Sequence, residues 1–205
     1  MKIGLEVKQR IPVEMIKRKM YASMSKNVEL SKIYYRKGYD TTLQSLLIGR
    51  HSPINVMIFE VSGWVKDRSH NHLRTHRDIQ RTYWCGTSRV DIDYGEKFVD
   101  DKGEVWRFIN FDLSLDALIH ISQRRLCPTA HEFIRADWES VKNQCIEYIP
   151  ELEPFCTKPC VWTGFCTEVR YNCGYIRSPL GKKQRRQIMD LSRRLTAVSS
   201  ESQCY

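Results

Sequence analysis

Two basic, imidazole-bearing clusters flank one apolar stretch of this chain. His51-Ser52-Pro53 precedes it, and Asn71-His72-Leu73-Arg74-Thr75-His76-Arg77 follows it. Arginine presents a planar fork of donors that matches a phosphate and stays charged at any physiological pH. Histidine donates, accepts or shuttles a proton near neutrality. Together they are suited to hold a phosphorylated ligand and steer a redox cofactor. The competing reading is a solvated basic helix face, which the spacing alone leaves open.

Three further groups stand out. Gln123-Arg124-Arg125-Leu126 closes an expected helix. Cations collect at helix C-termini for dipole reasons alone, and adjacent residues point in different directions, so at most one of the two arginines would face a pocket. Cys156, Cys160, Cys166 and Cys173 fall among Pro159, Gly164 and Gly174. Thiolates on such an irregular loop can form a tetrahedral zinc site, and an iron–sulfur cluster would use the same ligands. Free, partly buried cysteines are the plain alternative, and Lys158, Arg170 and Arg177 nearby would make such thiols more reactive. The run Gly181-Lys182-Lys183-Gln184-Arg185-Arg186, continuing to Arg193-Arg194, could meet nucleic-acid phosphates or be a solvated helix.

The elements that must position these groups are legible from periodicity. Asp40-Thr41-Thr42 can cap a helix with apolar positions Leu43, Leu46 and Leu47, ended by Gly49. Ile54 to Val65 reads as a largely buried strand, bent at Gly63. Lys66 to Arg81 is a polar helix or a loop leading into one, and Ser88 to Tyr94 a second strand. Lys97-Phe98-Val99, a turn at Asp100-Asp101-Lys102-Gly103, and Val105-Trp106-Arg107-Phe108 make a hairpin. Ser114 to Leu126 is expected to be helical. Pro128 is expected in the first turn of the next helix, which carries Phe133, Ile134, Trp138, Val141 and Cys145 and ends before Pro150. Residues 1–38 are only weakly periodic.

One domain of 205 residues is expected, with a Cys-rich loop at 150–180 and a basic tail at 181–205. The formal charge of +9 favours an anionic partner. No apolar run approaches the ~20 residues of a membrane span, and no secretory leader is evident. A cytoplasmic protein without membrane attachment is the expectation, and its cysteines are then thiols or metal ligands.

The order of these parts resembles the flavin-dependent thymidylate synthases. Those enzymes carry a His-x-Ser/Thr-Pro element, an apolar strand, and an Arg-His-Arg signature that ends in Ser-x-Arg-Tyr. A helix with a substrate-binding arginine and an Ala-Gln-x-Glu-Ile-Arg-like segment come later. The matching residues here are His51-Ser52-Pro53, the strand from Ile54, Thr75-His76-Arg77, Arg125 and Ala130-His131-Glu132-Phe133-Ile134-Arg135. The segment Pro159 to Gly174 is similar to a cysteine-containing tail of some members.

The resemblance implies an α/β (α+β) fold, with an antiparallel-rich central sheet flanked by helices, assembled as a homotetramer. It implies FAD at subunit interfaces, near His51, Ser52, His76 and Arg77. A pyrimidine nucleotide such as deoxyuridine monophosphate would be held by Arg125, Arg74, Ser88 and Arg89. Methylenetetrahydrofolate would donate the carbon to C5. Arg125 would stabilise charge developing on the pyrimidine ring. Thr75 stands where the signature has its first Arg, and Thr82-Tyr83 where it has Asn-Glu. Cys85 falls on the signature Ser, unless a two-residue insertion moves that end to Thr87-Ser88-Arg89-Val90. Ser114 and Asp116 replace flavin contacts of the family. These changes extend the expectation to hydroxymethylation. They also make Cys85 a candidate catalytic nucleophile toward pyrimidine C6, against the reading of a small buried hydrophobe. A different class of function is a non-catalytic, metal-stabilised scaffold that binds nucleic acid or a protein.

Overall fold

Alternation of apolar and polar residues sends successive side chains to opposite faces of a strand, and this pattern builds the sheet. The computed structural model describes residues 3–10, 43, 44, 47, 54, 58–74, 96–167 and 172–201, the backbone alone at 71–74 and 195–201. Its sheet contains β1 (Gly4–Gln9), β2 (Ile58–Lys66), β3 (Lys97–Val99) and β4 (Val105–Ser114). The strands lie in the order β1-β2-β4-β3, every neighbouring pair antiparallel. The mixed α/β character expected from the sequence is therefore present.

Val61 of β2 stands opposite Val7 of β1 and Phe111 of β4. Leu5, Val7, Phe59, Val61, Val65, Ile109, Phe111 and Leu113 are all buried on the same core. A side chain of this size gains roughly 1.5–3 kcal/mol when fully buried. Trp64, Phe98 and Phe108 form edge-on ring contacts at centroid distances of 4.8 and 5.7 Å. Gly63, where the sequence suggested a bend, marks a close approach between strands. Its φ is +147°, and a Cβ there would lie 2.1 Å from the carbonyl oxygen of Gly4 on β1.

Helix α1 (Asp67–Arg74) follows β2 directly. The 3-residue β3 leads through the expected turn into β4, where Asp100 Oδ1 accepts from the backbone N–H groups of Lys102 and Glu104. β4 continues past the expected Phe108 to Ser114. Ser114 then caps α2 (Leu115–Arg125), its Oγ accepting from Ala117 N at 3.2 Å. Leu115, Leu118, Ile119 and Ser122 share the buried face at helical spacing.

Helix α3 (Glu132–Tyr148) packs Trp138 edge-on to Phe111 and covers β1. Gln144 of α3 serves the outer edge of β1. Its Oε1 accepts from Val7 N at 3.0 Å and its Nε2 donates to Leu5 O at 2.9 Å. The helix thus satisfies groups that an edge strand would otherwise leave unpaired. Pro150–Leu152 forms a 3-10 turn, followed by the short α4 (Pro159–Thr163), a second 3-10 turn (Tyr175–Arg177) and the long α5 (Pro179–Glu201).

Several boundaries differ from the sequence reading. β2 begins at Ile58, while Ile54 is buried in a turn of 3-10 type. β1 arises within the stretch that looked weakly periodic, because three alternating pairs are too short to stand out. Pro128 belongs to the connection rather than to α3, and His131 precedes the first helical residue. The region 150–180 contains three short helical turns and is not wholly irregular. Leu43 and Leu47 are helical and buried, whereas the expected cap at 40–42 and Gly49 lie outside the described residues. So does the expected strand at 88–94.

Candidate functional site

The transition from β4 to α2 has no linker, so the capped N-terminus of α2 is fixed to the sheet. Its C-terminal end therefore projects Gln123, Arg124 and Arg125 at a defined place. The chain then turns at once: Ala130 N donates to Cys127 O at 2.9 Å, and α3 begins at Glu132. Beside this turn lies α4, which Pro159 starts and Gly164 ends in the left-handed conformation, φ +84°. These pieces enclose a cleft of about 570 Å³. His120, Gln123, Arg124 and Arg125 line it from α2, Thr129 and Ala130 from the turn, and Pro159 and Thr167 from the Cys-rich region.

The cleft is basic and rich in hydrogen-bond donors. Arg125 is half-buried and Arg124 exposed, as adjacent residues at a helix end must differ in direction. The guanidinium groups sit at the negative end of the α2 dipole, which favours their charge there. Such a site suits an anionic ligand with a planar or phosphorylated group.

The short α4, whose first residue lines the cleft, is held by α5. Arg185 Nη1 donates to the carbonyl oxygens of Val161 and Trp162, at 2.9 and 3.2 Å, where α4 runs out of internal partners. Gly164 leaves room for it, since a Cβ there would come within 2.5 Å of the Arg185 guanidinium. Lys158 Nζ lies 3.6 Å from the centroid of the Tyr175 ring, tying the start of α4 to the second 3-10 turn. Tyr175 in turn donates to Gln184 Oε1 at 2.7 Å. Sequence reasoning missed Arg185, Gly164 and Tyr175 in these roles, because their partners are backbone or ring atoms brought together only by the fold.

The cysteines divide into two groups. Cys145 and Cys156 face the core. Burial pushes Cys156 up to about 12, opposed by a hydrogen bond with Ser122 and by Lys142. Burial likewise raises Cys145, with Cys156 as its second cause. Cys160 belongs to a different neighbourhood. Burial raises its pKa first, then the nearby thiols of Cys166, Cys173 and Cys127, against the pull of Lys158. Cys127 was not singled out from the sequence. Its signal was a Cys-Pro step one residue beyond the arginine pair, 33 residues ahead of Cys160. No disulfide joins the described cysteines. Among the described residues no three His, Cys, Asp or Glu side chains are already arranged around a common point as metal ligands.

Of the remaining expected site residues, His51, Ser52, His76, Arg77, Cys85, Ser88 and Arg89 lie outside the described residues. Arg74 ends α1, described in its backbone only. Ser114 is a buried helix cap, and Asp116 lies in the first turn of α2, where a carboxylate suits the helix dipole. Among the described residues, no helix is long and apolar enough to cross a membrane. Comparison with protein-family models and with curated proteins gave no match.

Proposed function

We infer that this protein is a divergent flavin-dependent thymidylate synthase-like enzyme. It transfers a one-carbon unit from methylenetetrahydrofolate to C5 of a pyrimidine deoxynucleotide, by methylation or hydroxymethylation. The observation that carries this reading is Arg125. The residue that the resemblance assigns to the pyrimidine is half-buried in a basic cleft of about 570 Å³, with Gln123 and His120 beside it. The ordered match of His51-Ser52-Pro53, His76-Arg77 and the Ala130–Arg135 segment supports the same reading.

In this proposal Arg125 holds the pyrimidine by its carbonyl edge and stabilises negative charge that develops on the ring. Gln123 offers both a donor and an acceptor for orienting the same ring. Arg124, more exposed, attracts the phosphate toward the cleft. FAD, when bound, would supply the reducing chemistry, while the protein contributes placement and electrostatics. The cofactor is assigned to His51, Ser52, His76 and Arg77 and the oligomer to a tetramer by the resemblance alone.

The test is direct binding. Purified protein is titrated with FAD and with deoxyuridine monophosphate, alongside Arg125→Ala. Wild-type protein should bind both, and the variant should keep FAD while losing most nucleotide affinity. Wild-type protein that binds neither would refute the proposal. A second reading, binding of nucleic acid, is favoured by the exposed Lys182, Lys183, Arg186, Arg193 and Arg194 of α5. It requires affinity for DNA or RNA that falls steeply with salt, and charge-neutral substitutions on α5 that abolish it.

A further inference from the structure

Cations that converge on one cavity repel one another unless an anion joins them. On α3, Arg135, Glu139 and Lys142 stand four and three residues apart, so they share one face of the helix. All three line a second cavity, of about 360 Å³. The turn after α2 divides it from the first cleft: Arg125 and Thr129 line the first, Leu126 and Pro128 the second. The start of α4 divides them again, with Pro159 on the first and Lys158 on the second.

The walls of this second cavity set three cations against one carboxylate. Arg135 and Lys142 come from α3, Lys158 from the residue before α4, and Glu139 is the acid among them. Lys142 Nζ lies 3.7 Å from Glu139 Oε1, a long contact within one helix. The Lys142 side chain is 16% exposed and that of Glu139 56%, so the carboxylate can turn to solvent and leave the ammonium inside. Among the described residues no ion pair joins Glu139 to Arg135 or Lys158. Lys158 Nζ rests 3.6 Å from the centroid of the Tyr175 ring, which holds the charge at the wall without neutralising it. The Tyr175 hydroxyl donates to Gln184 Oε1 at 2.7 Å, so the amide NH2 of Gln184 is the end that can donate to a ligand.

We propose that this cavity binds a small ligand carrying a phosphate dianion. Three cations against one carboxylate leave two positive charges to be matched, and a phosphate monoester carries roughly two negative charges at neutral pH. Arg135 offers its planar fork to two phosphate oxygens, and Lys142 and Lys158 act as point charges on the others. The volume lies at the small end of the ~300–1,000 Å³ of ligand pockets, which suits a ligand of few atoms beyond the phosphate. Leu180, 53% exposed, is the lining residue against which an apolar part of that ligand would lie. The site is separate from the cleft of Arg125 and stands whether or not the protein is a nucleotide-modifying enzyme.

The experiment titrates the full chain with phenyl phosphate and with inorganic phosphate by calorimetry, in a phosphate-free buffer of low ionic strength. Arg125→Ala is the parent protein, so that phosphate in the second cavity is read without the arginine of the first cleft. One equivalent should bind to it. Tighter binding of phenyl phosphate assigns the site to an organic phosphomonoester, and equal binding assigns it to free phosphate. Adding Arg135→Gln or Lys158→Gln should weaken binding about tenfold or more, as the loss of one charge-assisted hydrogen bond requires. Adding Glu139→Gln should tighten it, because the repelling carboxylate is gone and Lys142 is released. That exposed substitution keeps the test decisive where circular dichroism shows that a cation variant has not folded. The proposal is overturned if neither phosphate binds, if the folded Arg135 and Lys158 variants bind as tightly as the parent, or if Glu139→Gln weakens binding. Neither FAD nor a nucleotide enters the measurement, so its outcome is distinguishable from that of the enzyme reading.

Discussion

The contact between Arg185 and Gly164 can be tested as a coupled pair. Arg185→Met keeps the aliphatic stem of the side chain and removes the donors to Val161 O and Trp162 O. A hydrogen bond from a charged group contributes about 1.5–3 kcal/mol when buried. Arg185 is half-buried and its two bonds share one nitrogen, so solvent replaces part of the interaction and the expected loss is about 2 kcal/mol. Gly164→Ala introduces two costs. Alanine at φ +84° carries the left-handed penalty of roughly 1–2 kcal/mol. Its Cβ also meets the guanidinium at 2.5 Å, so Arg185 must move and forfeit one or both bonds, about 1–2 kcal/mol more. In the Arg185→Met background the second cost has already been taken. The double variant should therefore be about 1–2 kcal/mol more stable than the sum of the single losses. Urea unfolding of the four proteins, read at constant slope, measures this coupling. Additivity within ~0.5 kcal/mol, the usual behaviour of independent sites, would falsify the claim that Gly164 exists to admit Arg185.

Three other perturbations have clear expected outcomes. Gln144→Leu leaves Val7 N and Leu5 O unpaired on a buried edge and should cost about 2–4 kcal/mol in urea unfolding. A loss below ~0.5 kcal/mol would mean that water takes over both groups. Among the described cysteines Cys173 should react first with iodoacetamide, while Cys145 and Cys156 stay unmodified until denaturant is added, because burial disfavours their thiolates. Peptide mass spectrometry showing early modification of Cys156 would contradict its placement in the core. Hydrogen bonds from Trp106 Nε1, Glu104 N and Lys102 N hold the Asp100 carboxyl below its ordinary value of 3.8. The stability these bonds give the hairpin is thus present above the unfolded value and is lost as pH falls through the lower folded one. Asp100→Asn should flatten that acid dependence, and an unchanged acid profile would show that the carboxylate is not its source.

β2 and the two middle helices were legible because their patterns are long. Phe59, Val61 and Val65 fall on one face of a nine-residue strand, and Leu115, Leu118, Ile119 and Ser122 on one face of a helix. β1 was not legible. Leu5 and Val7 are its only buried residues, and its outer edge is completed by Gln144, 137 positions from Val7. Pro128 was misplaced for a related reason. Proline is acceptable both in a first helical turn and in a connection, and the bond from Ala130 N to Cys127 O decides between them. The helix end at Arg125 was legible from periodicity, whereas the cleft beside it exists only in the fold. The split among the cysteines was hidden, because spacing counts residues along the chain, whereas the fold sets Cys156 by Cys145, Ser122 and Lys142 and Cys160 by Cys166, Cys173 and Cys127.

The cleft depends on how its two walls are held. The connection at 127–130 contributes Thr129 and Ala130 to the cleft lined by Arg125. A ligand-binding arginine is effective only when its position is fixed, since small displacements weaken an oriented contact sharply. α2 fixes Arg125 from the sheet side, through the Ser114 cap and the buried face of the helix. The connection itself is turned by the backbone bond from Ala130 N to Cys127 O. Across the cleft stands Pro159, the first residue of the short α4, and the bonds from Arg185 to Val161 and Trp162 hold that helix. The role proposed for Arg125 therefore draws on two separate supports, the sheet through α2 and the long α5 through α4.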